Sequence, residues 1–484
     1  MPDSTTALTY AVRLRFVGRY LSQLALMLAL LALVPLSVSL LFTEYDYSLR
    51  YALLIAGLLF AAAPGLRLPE PEQIQANEGI VIVSLVFLLT PLVMTFPLAA
   101  SGLPFEDVLF EAVSAITTTG LSTTGTVEGL SRTFMFARAW MQWYGGLGIA
   151  VLSVALLMGP HAAARRLAEP TESENIATTA RTQARQVLRV YLALTLTGTL
   201  LLWTVTGEPF SALLHMLATL STGGFSTFDD SLAAMPLAGA WVVTGFSIVG
   251  AIPLLLYFHA VSGRPYELLR DPEVRALMLA VLLISGLLGL SLHSHSAMPW
   301  GPALQQAAML GVSAQTTTGF STLPVGELDA TSKLLIIVSM VIGGGSGSTA
   351  GGIKLLRLLV LLRLLQYFLR RSAMPPHAVT EPRLNGRLLR PIDVERVTLV
   401  LGLFAALSTL SWLLFLIYGY APLDALFEVV SAMGTVGLSS GISRPDLEAP
   451  LKILLCLDML LGRLEILALL VLLYPRTWIG KRAS

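Results

Sequence analysis

The sequence is poor in cysteine, poor in charge and almost balanced in sign. One cysteine in 484 residues, Cys456, excludes a disulfide framework and an all-cysteine metal site. It stands in an apolar run and is expected to be a small buried hydrophobe. Only 13% of the residues are charged, against about 25% in soluble domains, so a soluble globular protein is disfavoured. A net charge of +1 gives no reason to expect a nucleic-acid partner. No His, Asp and Glu group has zinc spacing and no nucleophile–base arrangement is present, so neither a transition-metal site nor an enzyme is expected.

What the chain has in excess is apolar length. Apolar residues make up 55%, and the mean hydropathy is +0.74. The runs Leu21–Phe42, Gly79–Ala100, Val190–Thr206 and Val397–Ile417 carry few or no charges. Each is close to the roughly 20 residues that cross a ~30 Å hydrocarbon core as a helix. Arg13, Arg15 and Arg19 before the first run could open a signal peptide, but the run is too long and lacks a small-residue cleavage site. A first spanning helix is expected instead. Ten spans are expected, near residues 20–42, 50–66, 78–99, 134–158, 187–206, 237–258, 274–292, 332–370 (interrupted), 397–418 and 450–474. Ten spans place both termini on one side. About 23 of the 31 Lys and Arg fall on that side, which predicts cytoplasmic termini. The opposite loops lean acidic, with Glu44, Asp46, Glu128, Asp229, Asp230, Glu327 and Asp329.

Four stretches between spans are too long for a turn and too short to cross: Leu103–Thr119, Pro209–Gly223, Pro302–Thr318 and Pro422–Val436. Each reads as a half-helix followed by a small-residue loop. Irregular backbone at membrane depth is tolerated only where protein buries it or it lines a watery cavity. Four such loops imply a pore. They also repeat: SAITTTGLST (Ser114–Thr123), ATLSTGGFST (Ala218–Thr227), SAQTTTGFST (Ser313–Thr322) and SAMGTVGLSS (Ser431–Ser440), with shared glycines Gly120, Gly224, Gly319 and Gly437. The chain therefore divides into an N-terminal hairpin (1–76) and four pore repeats (77–185, 186–272, 273–395 and 396–484).

A cation filter explains this pattern. Rings of backbone carbonyls replace a potassium ion's hydration shell, and aiming successive carbonyls at one axis needs left-handed backbone, which glycine adopts at least cost. The triplets Thr118-Thr119-Gly120, Thr222-Gly223-Gly224, Thr317-Thr318-Gly319 and Thr435-Val436-Gly437 are the expected filter. Their β-branched side chains stiffen the loops, and the threonine hydroxyls can coordinate at the inner mouth. The half-helices end at the loops, so their negative dipole ends point at the ion. Glu111 and Glu428, inside the first and fourth half-helices, are expected to brace the filter from behind rather than steer ions. His215, on the second, is expected to be a packing residue.

These motifs resemble the Trk/Ktr/HKT superfamily of potassium transporters, and within it the bacterial Trk membrane-subunit type, which carries the extra N-terminal hairpin. The resemblance covers nearly the whole chain. It implies an all-α integral membrane protein with four pseudo-fourfold repeats around a central pore, and multi-pass insertion in the bacterial cytoplasmic (inner) membrane. It further implies potassium as substrate, no cofactor in this chain, a homodimer, and a cytosolic nucleotide-binding Trk regulatory subunit as partner. The cytoplasmic loops Pro160–Thr182 and Arg371–Arg396 are suited to docking that partner. In the family a filter glycine in every repeat marks potassium selectivity, and all four are present here. Thr222-Gly223-Gly224 departs from the Thr-Thr-Gly pattern, which suggests a looser quarter of the filter.

A second signal is GGGSGSTAGGIK, Gly343–Lys354. Each glycine costs a helix about 1 kcal/mol relative to alanine, so the span must break there. The segment resembles the family's intramembrane gate loop, with Gly343, Gly344, Gly345, Gly347, Gly351 and Gly352 as its flexible positions. Close helix packing through small residues is the plainer alternative. Dinucleotide and phosphate-loop readings fail, the first for want of an acidic partner about 20 residues on and the second for want of Gly-Lys-Ser/Thr. Arg463, within an apolar span, resembles the family's pore-facing arginine, with an ion pair to Asp458 or Glu465 as the structural alternative. Lys354 is expected near the cytoplasmic mouth. Two other functions remain open on sequence: an ion-coupled secondary carrier with broken helices, and a membrane enzyme or scaffold.

Overall fold

Inside a bilayer every backbone polar group needs a partner within the protein, and the chain meets this with helices almost throughout. The computed structural model describes residues 11–69, 75–157, 176–261, 263, 265–375, 381–384 and 387–479. Helices α1 (Leu14–Leu41) and α2 (Tyr45–Leu66) form the N-terminal hairpin.

A unit of long helix, short helix, loop and second helix then occurs four times. The first is α3 (Ala76–Leu98), α4 (Phe105–Ile116) and α5 (Arg132–Leu157). The second is α6 (Ile176–Thr206), α7 (Pro209–Leu220) and a second helix broken into α8 (Leu237–Ala251) and α9 (Leu254–Val261). After the linking α10 (Pro265–Arg270), the third is α11 (Pro272–His295), α12 (Trp300–Gln315), α13 (Ala330–Ile342) and α14 (Leu355–Ser372). A two-residue hairpin of β1 (Arg383–Leu384) and β2 (Arg387–Leu388) leads to the fourth: α15 (Pro391–Ile417), α16 (Pro422–Met433), α17 (Ala449–Arg463) and α18 (Leu467–Leu473), with α19 (Pro475–Trp478) at the end.

Proline marks the starts. It is the first residue of α7, α11, α15 and α16, where its missing N–H costs nothing. The third short helix begins at Trp300, two residues before the expected Pro302.

Among the described residues, α1, α2, α3, α6, α11 and α15 are long and apolar enough to cross a membrane unbroken. Three other expected spans are interrupted. The break at 343–354 is the one the glycine run predicted. The span near 237–258 also bends, by 93° between α8 and α9, where Pro253 cannot continue the hydrogen-bond ladder. The span near 450–474 stops at Arg463, and Glu465 and Ile466 take φ values of 53° and 60°. Both breaks lack a glycine run, so apolar length alone concealed them.

Burial is inverted relative to a soluble protein. The short helices α4, α7, α12 and α16 hold the most buried surface, while α11 exposes Leu279, Leu282, Leu283, Leu287 and Leu290. The fourth unit folds back on the first, where Ser84 donates to Ala468 O at 3.0 Å, and on the N-terminal segment, where Val12 N donates to Thr477 O at 2.9 Å.

Candidate functional site

Each short helix ends in the same way. Thr119, Gly223, Thr318 and Val436 donate their amides to Ser114, Ala218, Ser313 and Ser431 carbonyls at 2.8–2.9 Å. This closes a helix end whose C′ residue is left-handed. That residue is normally glycine, yet here it is Thr118, Thr222, Thr317 and Thr435, at φ 54°, 51°, 55° and 48°. The third residue of each triplet is left-handed as well: Gly120, Gly224, Gly319 and Gly437, at φ 92°, 77°, 84° and 92°. The sequence predicted the glycines and missed the threonines. Each triplet thus serves as helix stop and loop entry together.

The four loops close on each other. A Cβ on Gly120 would lie 2.0 Å from Gly223 O, and one on Gly224 2.2 Å from Thr318 O. On Gly319 it would lie 2.1 Å from Val436 O, and on Gly437 2.2 Å from Thr119 O. Every glycine therefore abuts the middle carbonyl of the next loop, in chain order and back to the start. Only hydrogen fits between neighbours in this ring.

Behind the ring, hydroxyls and carboxylates hold the loops. Ser114 Oγ accepts from Gly120 N at 3.0 Å, and Ser431 Oγ from Gly437 N at 3.1 Å. The Thr119 hydroxyl pairs with Thr117, and that of Thr318 with Thr316, each at 2.8 Å. Glu111 accepts from Ser122 Oγ and Thr123 N and pairs with Arg138 at 3.1 Å. Glu428 accepts from Ser439, Ser440 and Ser443 at 2.9–3.2 Å. His215 occupies the corresponding place in the second unit and bridges Ser211 O and Ser226 Oγ. All three are fully buried.

The second loop has a prop from α5. Gln142 Nε2 donates to Gly223 O at 2.6 Å, and a Cβ at 223 would lie 2.4 Å from the Gln142 amide carbon. Glycine replaces threonine there to make room for that side chain.

The glycine-rich segment lies against the side of the ring where the short helices end. Gly343, Gly347 and Gly352 are left-handed, at φ 70°, 82° and 73°. Gly351 N donates to Thr317 Oγ1 at 2.7 Å, Gly352 N to Gly434 O at 2.9 Å, and Thr349 Oγ1 to Leu220 O at 2.8 Å. A Cβ on Gly351 would lie 2.1 Å from Gly434 O, and Gly344 and Gly345 pack on Ala251 and Pro253. Arg463 Nη1 donates to Thr349 O at 2.9 Å. Its Nε and Nη2 are buried without a protein partner. Neither Asp458 nor Glu465 pairs with it: Asp458 accepts from Ser411, and Glu465 pairs with Lys354 and Arg357. Lys354 is buried in that pairing.

Sequence reasoning missed two sets of residues. Gly145, Gly250 and Gly462 bring the second helix of their units onto Ile116 O, Leu220 O and Met433 O, where a Cβ would sit at 2.2, 3.0 and 1.9 Å. Their offset of 25 or 26 residues from the last glycine of each triplet was the available signal. Lys452 and Lys333 reach from the second helix of one unit to Asp107 and Asp424 on the short helix of the next, at 2.5 and 2.6 Å. No sequence offset joins residues so far apart.

Four membrane-depth loops closing a ring around one axis, with a glycine-rich segment beneath, define a membrane protein of the cation-transport class. The chain belongs to the family described as TrkH, cation transport protein, whose model matches residues 52–477. It is 32% identical to the Trk system potassium uptake protein TrkI of Halomonas elongata over 478 residues, covering 95% of this chain and 96% of that one. It is 30% identical to the Trk system potassium uptake protein TrkH of Escherichia coli over 426 residues, covering 84% and 87%. The crystal structure of the potassium transporter TrkH from Vibrio parahaemolyticus superposes with a TM-score of 0.86 at 28% identity, covering 97% of this chain and all of that one.

Proposed function

We propose that this chain takes up potassium across the cytoplasmic membrane through a filter formed by the four triplets at residues 118–120, 222–224, 317–319 and 435–437. The observation that carries the reading is the closed cycle of glycine-to-carbonyl contacts. It groups four backbone oxygens at one depth without a full carboxylate among them, an arrangement suited to a weakly held monovalent cation. The hydroxyls of Thr118 and Thr435 are buried without protein partners, which supports a further contribution at the inner mouth. The segment Gly343–Gly352 and Arg463 form the gate. Supporting this, the two unpartnered guanidinium nitrogens need water, since a buried charge left dry is costly.

In this reading the N-terminal hairpin and four repeats stand in the order read from sequence, with the borders at 185, 272 and 395 moved to the starts of α6 (Ile176), α11 (Pro272) and α15 (Pro391), and both termini are cytoplasmic. The chain works as a homodimer with a cytosolic nucleotide-binding Trk regulatory subunit. Of the two loops suited to docking it, Pro160–Thr182 lies largely outside the described residues.

The test is Gly120→Ser. A side chain there meets both the left-handed φ and the Gly223 carbonyl, so one wall of the ring must move. Potassium-over-sodium preference in vesicles is expected to fall about tenfold, equivalent to about 1.4 kcal/mol. An unchanged preference in folded protein would overturn the filter assignment.

A further inference from the structure

The N-terminal hairpin does not seal against the pore units. Between it and helices α3, α5 and α6 lies a cavity of about 740 Å³, within the usual range of ligand pockets, roughly 300–1,000 Å³. Its walls are hydrocarbon: Leu24, Leu28 and Leu31 of α1, Leu58 of α2 and Phe87 of α3. The few hydroxyls include Ser22, already bonded to Gly18 O at 2.9 Å. Gly148 of α5 lines the space, and a Cβ on it would meet nothing within 4 Å.

Two features identify the occupant. The first is length. The α1 wall runs from Leu21 to Leu31, a rise of about 15 Å at about 1.5 Å per residue, or half of a ~30 Å hydrocarbon core. The second is charge. Arg185 lines one end, and it is exposed there, as is Arg189 one turn further along α6. Arg15 is exposed in the first turn of α1, a turn and a half before Leu21. The other end stops at Tyr144, Gly145 and Ile116, in the middle of the bilayer.

We propose that this cavity is a binding site for an anionic phospholipid of the leaflet opposite the filter loops. Its phosphate sits against Arg185 and one acyl chain fills the cavity to Ile116. The chain's far end then presses on the last turn of α4, two residues before Thr118. The bound lipid braces the first filter loop from outside the ring, in the place where a packed helix would otherwise stand.

The test uses the full-length protein in vesicles containing phosphatidylglycerol with a photoreactive group at the end of one acyl chain. Labelling of peptides containing Ile116 and Tyr144–Val151 is expected to exceed that of the exposed α11 face, Leu279–Leu290, at least fivefold. Gly148→Phe is expected to bring it down to the α11 level, and Arg185→Gln to remove the advantage of phosphatidylglycerol over phosphatidylcholine. Should Gly148→Phe fail to fold, Leu28→Trp narrows the cavity from the opposite wall with the same expectation. Even labelling across all lipid-facing helices would overturn the proposal. So would labelling that persists in the filled variants, or crosslinks between Gly148→Cys copies showing that a second chain covers the cavity. None of these readouts depends on potassium flux.

Discussion

Glu428 and Glu111 look interchangeable in sequence, each nine residues before a filter glycine, but their neighbours differ. Glu111 is neutralised by Arg138 at 3.1 Å, whereas Glu428 is held by serine and backbone donors alone. Glutamine at 428 keeps the shape but turns one acceptor into a donor facing donors, and hydrogen bonds to a charged group contribute about 1.5–3 kcal/mol each. Glu428→Gln is therefore expected to lower the unfolding temperature and weaken potassium selectivity. Thermal unfolding in detergent and paired potassium and sodium uptake check this. The Lys452–Asp107 pair gives a second prediction at this scale. Lys452→Met strands a buried carboxylate, at a cost of about 3–5 kcal/mol, while replacing both partners with apolar residues is often neutral. Lys452→Met should lose folded protein, and Lys452→Met with Asp107→Leu should recover most of it, as measured by yield and unfolding temperature. The bracing role of the glutamates was legible because they sit at one offset in two copies of a repeat. The lysine struts were not, since they join units 345 and 91 residues apart in sequence, and no local pattern encodes a contact between units.

At the scale of elements, the chain's second helices carry the functional contrast. α5 runs unbroken, and the second helices of the other three units stop beside the C-terminal ends of their short helices. The glycine run announced one break; a proline and two left-handed residues make the others, and hydropathy reads through both. Gly145, Gly250 and Gly462 seat α5, α8 and α17 alike on the ends of their short helices, so the contrast lies beyond the breaks, where α9, α14 and α18 follow a change of direction that α5 lacks. Deleting three residues within Gly343–Gly352 is expected to raise potassium flux and reduce its dependence on the regulatory subunit, measured in vesicles at matched protein density. If the shortened protein folds and conducts at the original rate, the segment is packing and not a gate. Arg463→Gln tests the charge that α17 sets against that segment, at Thr349 O. A fixed charge about 6 Å from the path, at an effective dielectric of 20–80, raises a passing cation's energy by about 1–3 kcal/mol. Removing it should raise flux about five- to hundredfold with selectivity retained. Loss of folding without a gain in flux would make the arginine structural.

For the molecule as a whole, the architecture was readable because a membrane allows few solutions and because the same unit is written four times. What sequence could not show was how the units meet: the cyclic contact of each glycine with its neighbour's carbonyl, the return of α18 to α3, and the gap behind the N-terminal hairpin. Those depend on the packing of distant segments.

The cyclic contact runs through one polypeptide, and this has a genetic consequence. In a pore assembled from four identical subunits a single codon change alters every wall at once. Here it alters one wall in four. In the filter proposed above, selectivity can therefore be edited in quarters, and inheritance can keep walls that differ, as the Gln142-propped second loop already does.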